Sequence, residues 1–387
     1  GKIGIKDGVR AEDIGGALTI GDDVDVSMNI AKLMVPGLVP LSAAIGAKGA
    51  LGELLSVTAR VAGAGGALIV ASEGSVDPLA GVGTLSATLH PVVFTRGVRA
   101  PADLVPALKG IVTDGSGTVA GSAKLSLSPS GMTSEGVLSL RDLTLAKDGM
   151  IARGIDGEIR FCDLIPLRSP AGQKLAIDEI VAGVRLTDGS VSFGIEEGPV
   201  LAVSRTLWHW AGGMLATEPM TITKGAPVSV TLKAADLDLP QVLELAKIKG
   251  LASTGLLAGK LPLRVFEGRM EIDGGKLYSL GGGHLSYDPN DPPAFLKEGA
   301  GAHMNILRDA LRNLDYESLR ITIDGATDGE QKVIMTVRGV NPDFFDGRPV
   351  SLTINLSGAL HSVVSRGLGT GTVGKDIRQQ FEMIEER

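Results

Sequence analysis

Apolar and polar residues alternate along much of this chain, and this alternation constrains its fold more than any other feature. A β-strand points successive side chains to opposite faces, so a period of two marks a strand with one apolar face. Clear alternating runs lie at residues 23–30, 228–233, 319–324, 332–338 and 351–357. Asp-Gly pairs, which favour tight hairpin turns, recur at 7–8, 148–149, 156–157, 188–189, 273–274 and 328–329. The sequence therefore predicts a mainly β fold built on a long antiparallel meander.

Helices are predicted at only a few places. Residues 238–247 begin with an Asp of the capping type and carry Pro240 in the first turn. Apolar residues at helical spacing indicate two more helices, one with Met304, Leu307, Leu311 and Leu314 and one with Ile377, Phe381 and Ile384. Residues 204–216, around a Trp-His-Trp triplet, are predicted to form a short helix or an apolar loop.

Composition and charge exclude several classes of protein. Of the 387 residues, 44% are hydrophobic and 21% charged, which rules out intrinsic disorder. The net charge of −7, without a long basic run, argues against a nucleic-acid partner. The most apolar stretch, 33–55, is interrupted by Lys48 and Glu53 and does not predict a membrane span. The single Cys162 excludes an internal disulfide and a cysteine metal cluster.

So many one-sided strands need something to cover their apolar faces. Either the sheet folds onto itself, or its apolar face stays open to another molecule. The chain has 54 glycines and only 3% aromatic residues, and this combination favours a curled trough over a tightly filled core. A β-sandwich pair with ordinary cores is the alternative.

An ordered series of segments between residues 119 and 360 resembles a known family. It includes Thr254-Gly-Leu-Leu-Ala-Gly-Lys-Leu-Pro-Leu-Arg-Val and Gly339-Val-Asn-Pro-Asp-Phe-Phe-Asp-Gly-Arg-Pro-Val. Further segments of the series lie at 154–161, 164–167, 172–177, 183–189, 272–277, 281–287 and 310–319. Together they resemble the C-terminal half of YdbH-like proteins, which belong to the AsmA-like group with TamB.

The resemblance implies an elongated, curled antiparallel sheet that forms a hydrophobic groove, with a few short helices. It implies a protein of the Gram-negative periplasm that transfers phospholipids between the inner and outer membranes. The chain opens on Gly1 rather than Met, which indicates a segment of a longer protein, and the resemblance implies that the missing N-terminal segment anchors it in the inner membrane. The resemblance also implies two kinds of partner, phospholipids and a small outer-membrane lipoprotein at the C-terminal end.

The resemblance and the strand pattern together divide the chain into three parts and predict which residues line the groove. We expect an upstream β-rich part at 1–118, the YdbH-like groove region at 119–360, and a linker with a charged helical tail at 361–387. Three successive strands near the C-terminus offer apolar-face positions, which we expect to contact acyl chains: Leu319, Ile321, Ile323, Val333, Met335, Val337, Leu352, Ile354 and Leu356.

Sites that suggest chemistry are weak in this sequence. Residues 369–375 match a phosphate-binding loop, but Asp376 stands where the pattern requires the Ser or Thr that binds Mg²⁺. The five histidines show no metal-ligand spacing, and His209 between two tryptophans is typical of a packed or interfacial residue. Residues 288–293 are rich in Asp and Pro and favour a rigid turn over a Ca²⁺ site. We therefore predict no enzyme activity, no cofactor and no metal.

Two other functions remain open at this stage. One is an envelope scaffold or partner-binding module that uses an exposed sheet edge, because main-chain pairing at an edge needs little sequence signature. The other is a small-solute component, since an older label of the family speaks of dicarboxylate transport. That function needs a closed polar pocket, and the sequence has no convergent Arg or Lys cluster to support it.

Overall fold

The computed structural model describes residues 2–355 except 5–8, 36, 51, 110–111, 148–149, 183, 199, 224, 245–249, 267–268, 288–308 and 327–330. Strands dominate these residues and the helices are few and short. The predicted mainly β, antiparallel fold class is therefore confirmed.

Strands make up most of the described elements, and the helices among them are short. In chain order the described strands are β1 Lys2–Gly4, β2 Arg10–Ile20, β3 Asp23–Met34, β4 Leu41–Ala50, β5 Leu55–Gly63, β6 Leu68–Asp77, β7 Val82–Phe94, β8 Asp114–Ser128, β9 Gly131–Lys147, β10 Met150–Phe161, β11 Asp163–Leu164, β12 Leu167–Arg168, β13 Gln173–Ala182, β14 Val184–Glu196, β15 Val200–Trp210, β16 Gly213–Thr217, β17 Met220–Ile222, β18 Val228–Asp238, β19 Leu251–Ser253, β20 Leu256–Phe266, β21 Arg269–Ser279, β22 Gly283–Tyr287, β23 Leu314–Ala326, β24 Gln331–Val340 and β25 Pro349–Asn355. The α-helices are α1 Pro101–Leu104 and α2 Leu239–Glu244, single 3-10 turns lie at Ala64–Gly66, Pro106–Leu108 and Phe345–Gly347, and residues 309–311 are helical.

The chain divides into two compact units. Unit 1 comprises Gly1–Lys147, Ile151–Asp178 and Ser192–Ala202. Unit 2 comprises Asp148–Met150, Glu179–Val191 and Val203–Arg387.

In unit 1 the strands from β1 to β9 form a meander in which each strand pairs antiparallel with the next. β9 also pairs with β10, and the small hairpin β11–β12 follows β10. The hydrophobic cluster of the first strands centres on Ala11, Ile30 and Ala43. Because nearest neighbours in sequence are nearest neighbours in space, local hairpins build this unit.

In unit 2 the pairing runs from β16 through β18, β20, β21, β23 and β24 to β25. The short strands β19 and β22 pair with each other, and β22 also pairs with β23. The helix predicted at 238–247 is confirmed as α2 over its described residues, and it contacts β18 and β19.

Three of the Asp-Gly pairs lie inside strands, so the prediction of hairpin turns is wrong there. Residues 156–157 lie in β10, 188–189 in β14 and 273–274 in β21. The pairs at 7–8, 148–149 and 328–329 lie outside the described residues.

The positive φ angles of these pairs produce irregular strand positions instead of turns. Gly274 has φ 66°, and the pairing of β21 with β23 shifts between Ile272 and Gly275. The Gly274 N–H donates to the Asp324 carboxylate at 2.7 Å, which satisfies the donor that the shift leaves unpaired. A bulge of this kind increases the local twist and bend of a strand.

The Trp-His-Trp region is a hairpin of β15 and β16 rather than a helix or a loop. Trp210 pairs with Gly213 across a turn in which Ala211 and Gly212 have φ angles of 47° and 73°. Two consecutive positive φ angles are typical of the tight turns that join antiparallel strands. At the other predicted helix, residues 309–311 are helical but Leu314 begins β23. Residues 304 and 307, and the predicted helix at 377–384, lie outside the described residues.

Candidate functional site

The pairing register of unit 1 brings apolar residues from eight strands onto one face of the sheet. Directly paired residues in antiparallel strands point to the same side, so each chain of pairs from β2 to β9 forms a row across the sheet. The rows are Ile14, Ile30, Ala43, Val61, Val70, Leu89, Gly121 and Leu138 (row one); Gly16, Met28, Ile45, Ala59, Ser72, Ala87, Ala123 and Gly136 (row two); Leu18, Val26, Ala47, Val57, Gly74, Leu85, Leu125 and Ser134 (row three); and Ile20, Val24, Gly49, Leu55, Val76, Gly83, Leu127 and Met132 (row four). In row four Gly49 and Leu55 are neighbours without direct pairing: a Cβ added to Gly49 would stand 3.1 Å from Leu55 Cδ2. We call this surface the unit-1 apolar face.

The unit-1 apolar face carries no charged residue, and Ser72 and Ser134 are its only polar side chains. Row two is built mainly from small residues, with Ala59, Ala87 and Ala123 among them. Small residues in strand interiors leave room for another molecule to approach the backbone closely. The face therefore combines apolar chemistry with small side chains along its second row.

The opposite face of the same strands is polar. The row between rows three and four, on the other side of the sheet, reads Thr19, Asp25, Lys48, Ser56, Ser75, Thr84, Ser126 and Thr133. Lys48 Nζ lies 2.9 Å from the Asp25 carboxylate, and both side chains are largely exposed. The sheet of unit 1 is thus amphipathic, with one face suited to water and one to hydrocarbon.

Much of the unit-1 apolar face is only partly buried. On β7, Leu85, Ala87 and Leu89 are partly buried, whereas Ser86 and Thr88 on the polar face are exposed. At the margin of the face, Leu18 and Ile20 are 62% and 63% exposed. A ligand could therefore reach this face without displacing a closed core.

Unit 2 has an apolar face built on the same principle but buried much more completely. One row runs through Trp208, Leu215, Ala234, Gly259, Leu277, Ile321, Met335 and Ile354. Apart from Gly259, every residue of this row is at most 7% exposed. We call this surface the unit-2 apolar face.

The register places eight of the nine predicted lining residues on the unit-2 apolar face. Their rows are Leu319, Val337 and Leu352; Ile321, Met335 and Ile354; and Ile323 with Val333. Five of them are at most 3% exposed: Leu319, Ile321, Val333, Met335 and Val337. Ile323 and Leu352 are partly buried, and Leu356 lies outside the described residues. Contact of these residues with lipid stays a prediction.

Helical residues of unit 2 are buried together with this face. Leu239 and Leu243 of α2, and Ala310 and Leu311 of the helical residues 309–311, are all buried. Asn341, at the end of β24, is fully buried and its Nδ2 donates to the carbonyl oxygens of Asp309 and Ala310 at 2.9 and 3.0 Å. This amide holds the helical residues to the end of the strand, so this part of unit 2 has the character of a closed core.

In unit 1 the hairpin β11–β12 lies on the apolar face at β9. The buried Ser134 donates from Oγ to Asp163 Oδ1 at 2.8 Å and accepts the Leu164 N–H at 3.0 Å. A Cβ added to Gly136 would stand 3.2 Å from Leu164 Cδ2, so the Leu164 side chain covers that glycine. Ser134 and Gly136 belong to rows three and two, which places the hairpin on the face itself.

Electrostatics favours the ionised form of Asp163 in this arrangement. The hydrogen bond from Ser134, followed by that from the Ile165 N–H, lowers the pKa of Asp163 below its usual 3.8 against a smaller opposing effect of burial. The sequence analysis did not find this contact. Its partners are 29 residues apart, and a serine among apolar residues was the only available signal.

Catalytic or metal chemistry finds no support in the described part of the chain. No group of three or more His, Cys, Asp or Glu side chains there could hold a metal ion. His209 is exposed with Nδ1 3.8 Å from Asp188, while Trp208 is buried and donates from Nε1 to Thr206 Oγ1 at 3.1 Å. The phosphate-loop resemblance at 369–375 and the Asp-Pro segment at 288–293 lie outside the described residues. None of the described helices has the length and apolarity to cross a membrane.

These observations define a class of protein, a mainly β protein that offers an extended apolar surface. The family described as intermembrane phospholipid transport protein YdbH matches residues 38–381, so the chain belongs to the YdbH-like family. Its function thus lies in phospholipid transport, and transport between membranes implies a place in the cell envelope. The comparison with curated proteins and that with solved structures gave no match.

Proposed function

We propose that the unit-1 apolar face shelters phospholipid acyl chains and that the chain acts as a bridge-like lipid transfer protein between the inner and outer membranes. The observation that carries this proposal is the in-register face of four uncharged rows, much of it only partly buried. Sheltering acyl chains while leaving head groups in water requires no polar pocket. The passive role needs no catalytic group.

The energetics of such a face are adequate for lipid binding. Burial is worth ~0.8 kcal/mol per CH₂, so a sixteen-carbon chain sheltered over half its surface gains on the order of 5 kcal/mol. Rows of similar apolarity repeat from β2 to β9, so neighbouring positions bind the chain with similar strength. Similar neighbouring positions let a lipid move along the face without a deep trap.

The proposal extends to the predicted lining residues of unit 2, and burial ranks them. Ile323 and Leu352 are partly buried and are the first that a lipid would reach. Met335 and Val337, which are almost fully buried, would contact lipid only after movement of the residues that cover them. We therefore propose direct contact with lipid first for the residues at the margin of the unit-2 apolar face.

Family membership supports the remaining parts of the proposal. These are a location in the periplasm of a Gram-negative bacterium, an inner-membrane anchor supplied by a preceding segment, and a small outer-membrane lipoprotein bound at the C-terminal end. In this scheme the chain is not an enzyme, and the direction of transport comes from the partners or from lipid gradients.

Two neighbouring residues of β7 provide the test. Ala87→Asp places a carboxylate on the unit-1 apolar face, and Thr88→Asp places the same group on the polar face. Native mass spectrometry should find phospholipid on the wild type and on Thr88→Asp, and much less on Ala87→Asp with similar thermal melting. Equal lipid content in both variants would reject the proposal, and an absence of lipid from all three proteins would favour a scaffold or partner-binding role.

A further inference from the structure

The hairpin β11–β12 leaves the regular meander of unit 1. Elsewhere in this unit short turns or a small helix connect successive strands, but after β10 the chain folds residues 162–168 back toward β9. Cys162 and Arg168 form a further backbone hydrogen bond, from the Cys162 N–H to the Arg168 carbonyl at 3.1 Å, which closes the base of the hairpin. The hairpin is thus a discrete small element attached at its two ends.

The hairpin lies over the two central rows of the unit-1 apolar face, at β9, the last of its eight strands. Leu164 lies against Gly136 of row two, and Asp163 is bonded to Ser134 of row three. These two rows are the ones that an acyl chain running across the strands would follow. At β9 the protein's own leucine therefore occupies the place of the acyl chain.

The attachment of the hairpin to the face is slight. Among the described residues its hydrogen bonds to β9 are the two made by Ser134, and Leu164 packs against Gly136. Ile165 and Leu167 of the hairpin are 47% and 45% exposed. Just beyond the hairpin, Ser169 exchanges two hydrogen bonds with the Ile195 backbone, so residues 162–168 can leave β9 while their base stays anchored.

We propose that the hairpin β11–β12 is a gate on the unit-1 apolar face, closed when Ser134 holds Asp163 and open when the hairpin leaves β9. The proposal rests on the proposed lipid-sheltering role of this face. In the closed position Leu164 blocks rows two and three. In the open position the same rows are continuous through β9, and a lipid can pass.

The first experiment locks the gate. In a Cys162→Ser background, Ser134→Cys with Asp163→Cys is joined by oxidation or by a short thiol crosslinker, and joining is verified by mass. Transfer of a phospholipid with a fluorescent acyl chain between phosphatidylethanolamine–phosphatidylglycerol vesicles is then measured. Locking should slow transfer about tenfold or more, and cleavage of the disulfide should restore it. The Ser134→Cys single variant, treated identically, is the control.

The second experiment weakens the closed state without a crosslink. Leu164→Ala removes the side chain that covers Gly136 and should speed transfer about threefold. Ile165→Ala changes an exposed apolar residue at the turn of the same hairpin and should leave transfer unchanged. Unchanged transfer in both the locked protein and Leu164→Ala would overturn the gate.

Ala87→Asp separates failure of the gate from failure of the lipid-sheltering role. If Ala87→Asp stops transfer while the lock and Leu164→Ala have no effect, the face carries lipid and the gate is wrong. If Ala87→Asp and the lock both leave transfer unchanged, the lipid-sheltering role itself is rejected.

Discussion

The apolar faces of the two units follow the same pattern of strands, yet one is half-open and the other is closed. Row two of unit 1 consists largely of Ala and Gly, whereas the corresponding central row of unit 2 contains Trp208, Leu277, Ile321 and Met335. The large side chains of the unit-2 row are almost fully buried, and helical residues of the same unit are buried as well. The small residues of row two in unit 1 are only partly buried or exposed. Alternation therefore determines which face is apolar, and side-chain size and cover determine whether it is a core.

The largest expected effect comes from placing a charge on each face. Ile321→Asp buries a carboxylate without a partner and should cost about 3–5 kcal/mol of unfolding free energy. Ala87→Asp lies where water can reach the carboxylate and should cost less than about 1 kcal/mol. Urea denaturation measures both, with Arg320→Asp on the exposed side of the same strand as control. Equal losses at the two sites would remove the distinction between the units.

A matched pair of methionines should show the same difference at lower magnitude. Met335→Ala in unit 2 leaves a cavity and should cost about 2–4 kcal/mol. Met28→Ala in unit 1 removes a partly buried side chain and should cost about 1 kcal/mol, because some of the lost surface was already hydrated. The urea unfolding midpoint of each variant, compared with that of the wild type, measures the two costs. A cost at Met28 as large as that at Met335 would indicate that the unit-1 face is also a core.

Chemical labelling should compare the solvent accessibility of the two units directly, without relying on a change in stability. In a Cys162→Ser background, Leu85→Cys should react with a maleimide while Leu257→Cys, at a fully buried position, stays protected. Added phospholipid vesicles should slow labelling of Leu85→Cys about threefold, because lipid would cover the site. Ser86→Cys, on the polar face, serves as control. Labelling of Leu257→Cys at the Leu85→Cys rate would contradict the closed core of unit 2.

The smallest effect concerns pH at the hairpin of unit 1. Because the pKa of Asp163 is lowered, its contact stabilises the folded state above the usual value of 3.8, and this contribution disappears as pH falls through the lower folded value. The melting-temperature deficit of Asp163→Asn should therefore be constant between about pH 5 and 8 and shrink below about pH 4. In a Ser134→Ala background most of this pH dependence should vanish. A deficit that changes between pH 5 and 8 would contradict the assignment.

The sequence predicted the strands well where one face is uniformly apolar. The alternations at 23–30, 228–233 and 319–324 correspond to β3, β18 and β23. Three of the Asp-Gly pairs were misassigned because a positive φ angle serves a bulge as well as a turn, and the pairing partner decides between them. The Trp-His-Trp hairpin was missed because the period of two is interrupted just before it, where Ser204 and Arg205 are both polar and Leu207 and Trp208 are both apolar.

The site was less predictable than the fold. Alternation identified Ile321, Met335 and Ile354 as apolar-face residues, and the register confirms that they share a row. Their burial was not predictable, because it depends on residues distant in sequence that cover them. The unit-1 apolar face, with its Gly and Ala positions, was not singled out, since small residues give little hydrophobic contrast along one strand. Its rows can be recognised only when the pairing register of all eight strands is known.

The meander of unit 1 has a consequence for how such chains can change in evolution. Each strand from β2 to β9 pairs with its sequence neighbours, so duplication or loss of one hairpin alters the number of strands without rethreading the rest. Each added hairpin lengthens a row by about 10 Å, the width of two strands. Insertion of a single residue inside a strand, in contrast, exchanges its two faces unless a bulge absorbs it. Sheet length can therefore change in steps of whole hairpins, while the residues within each strand stay in phase.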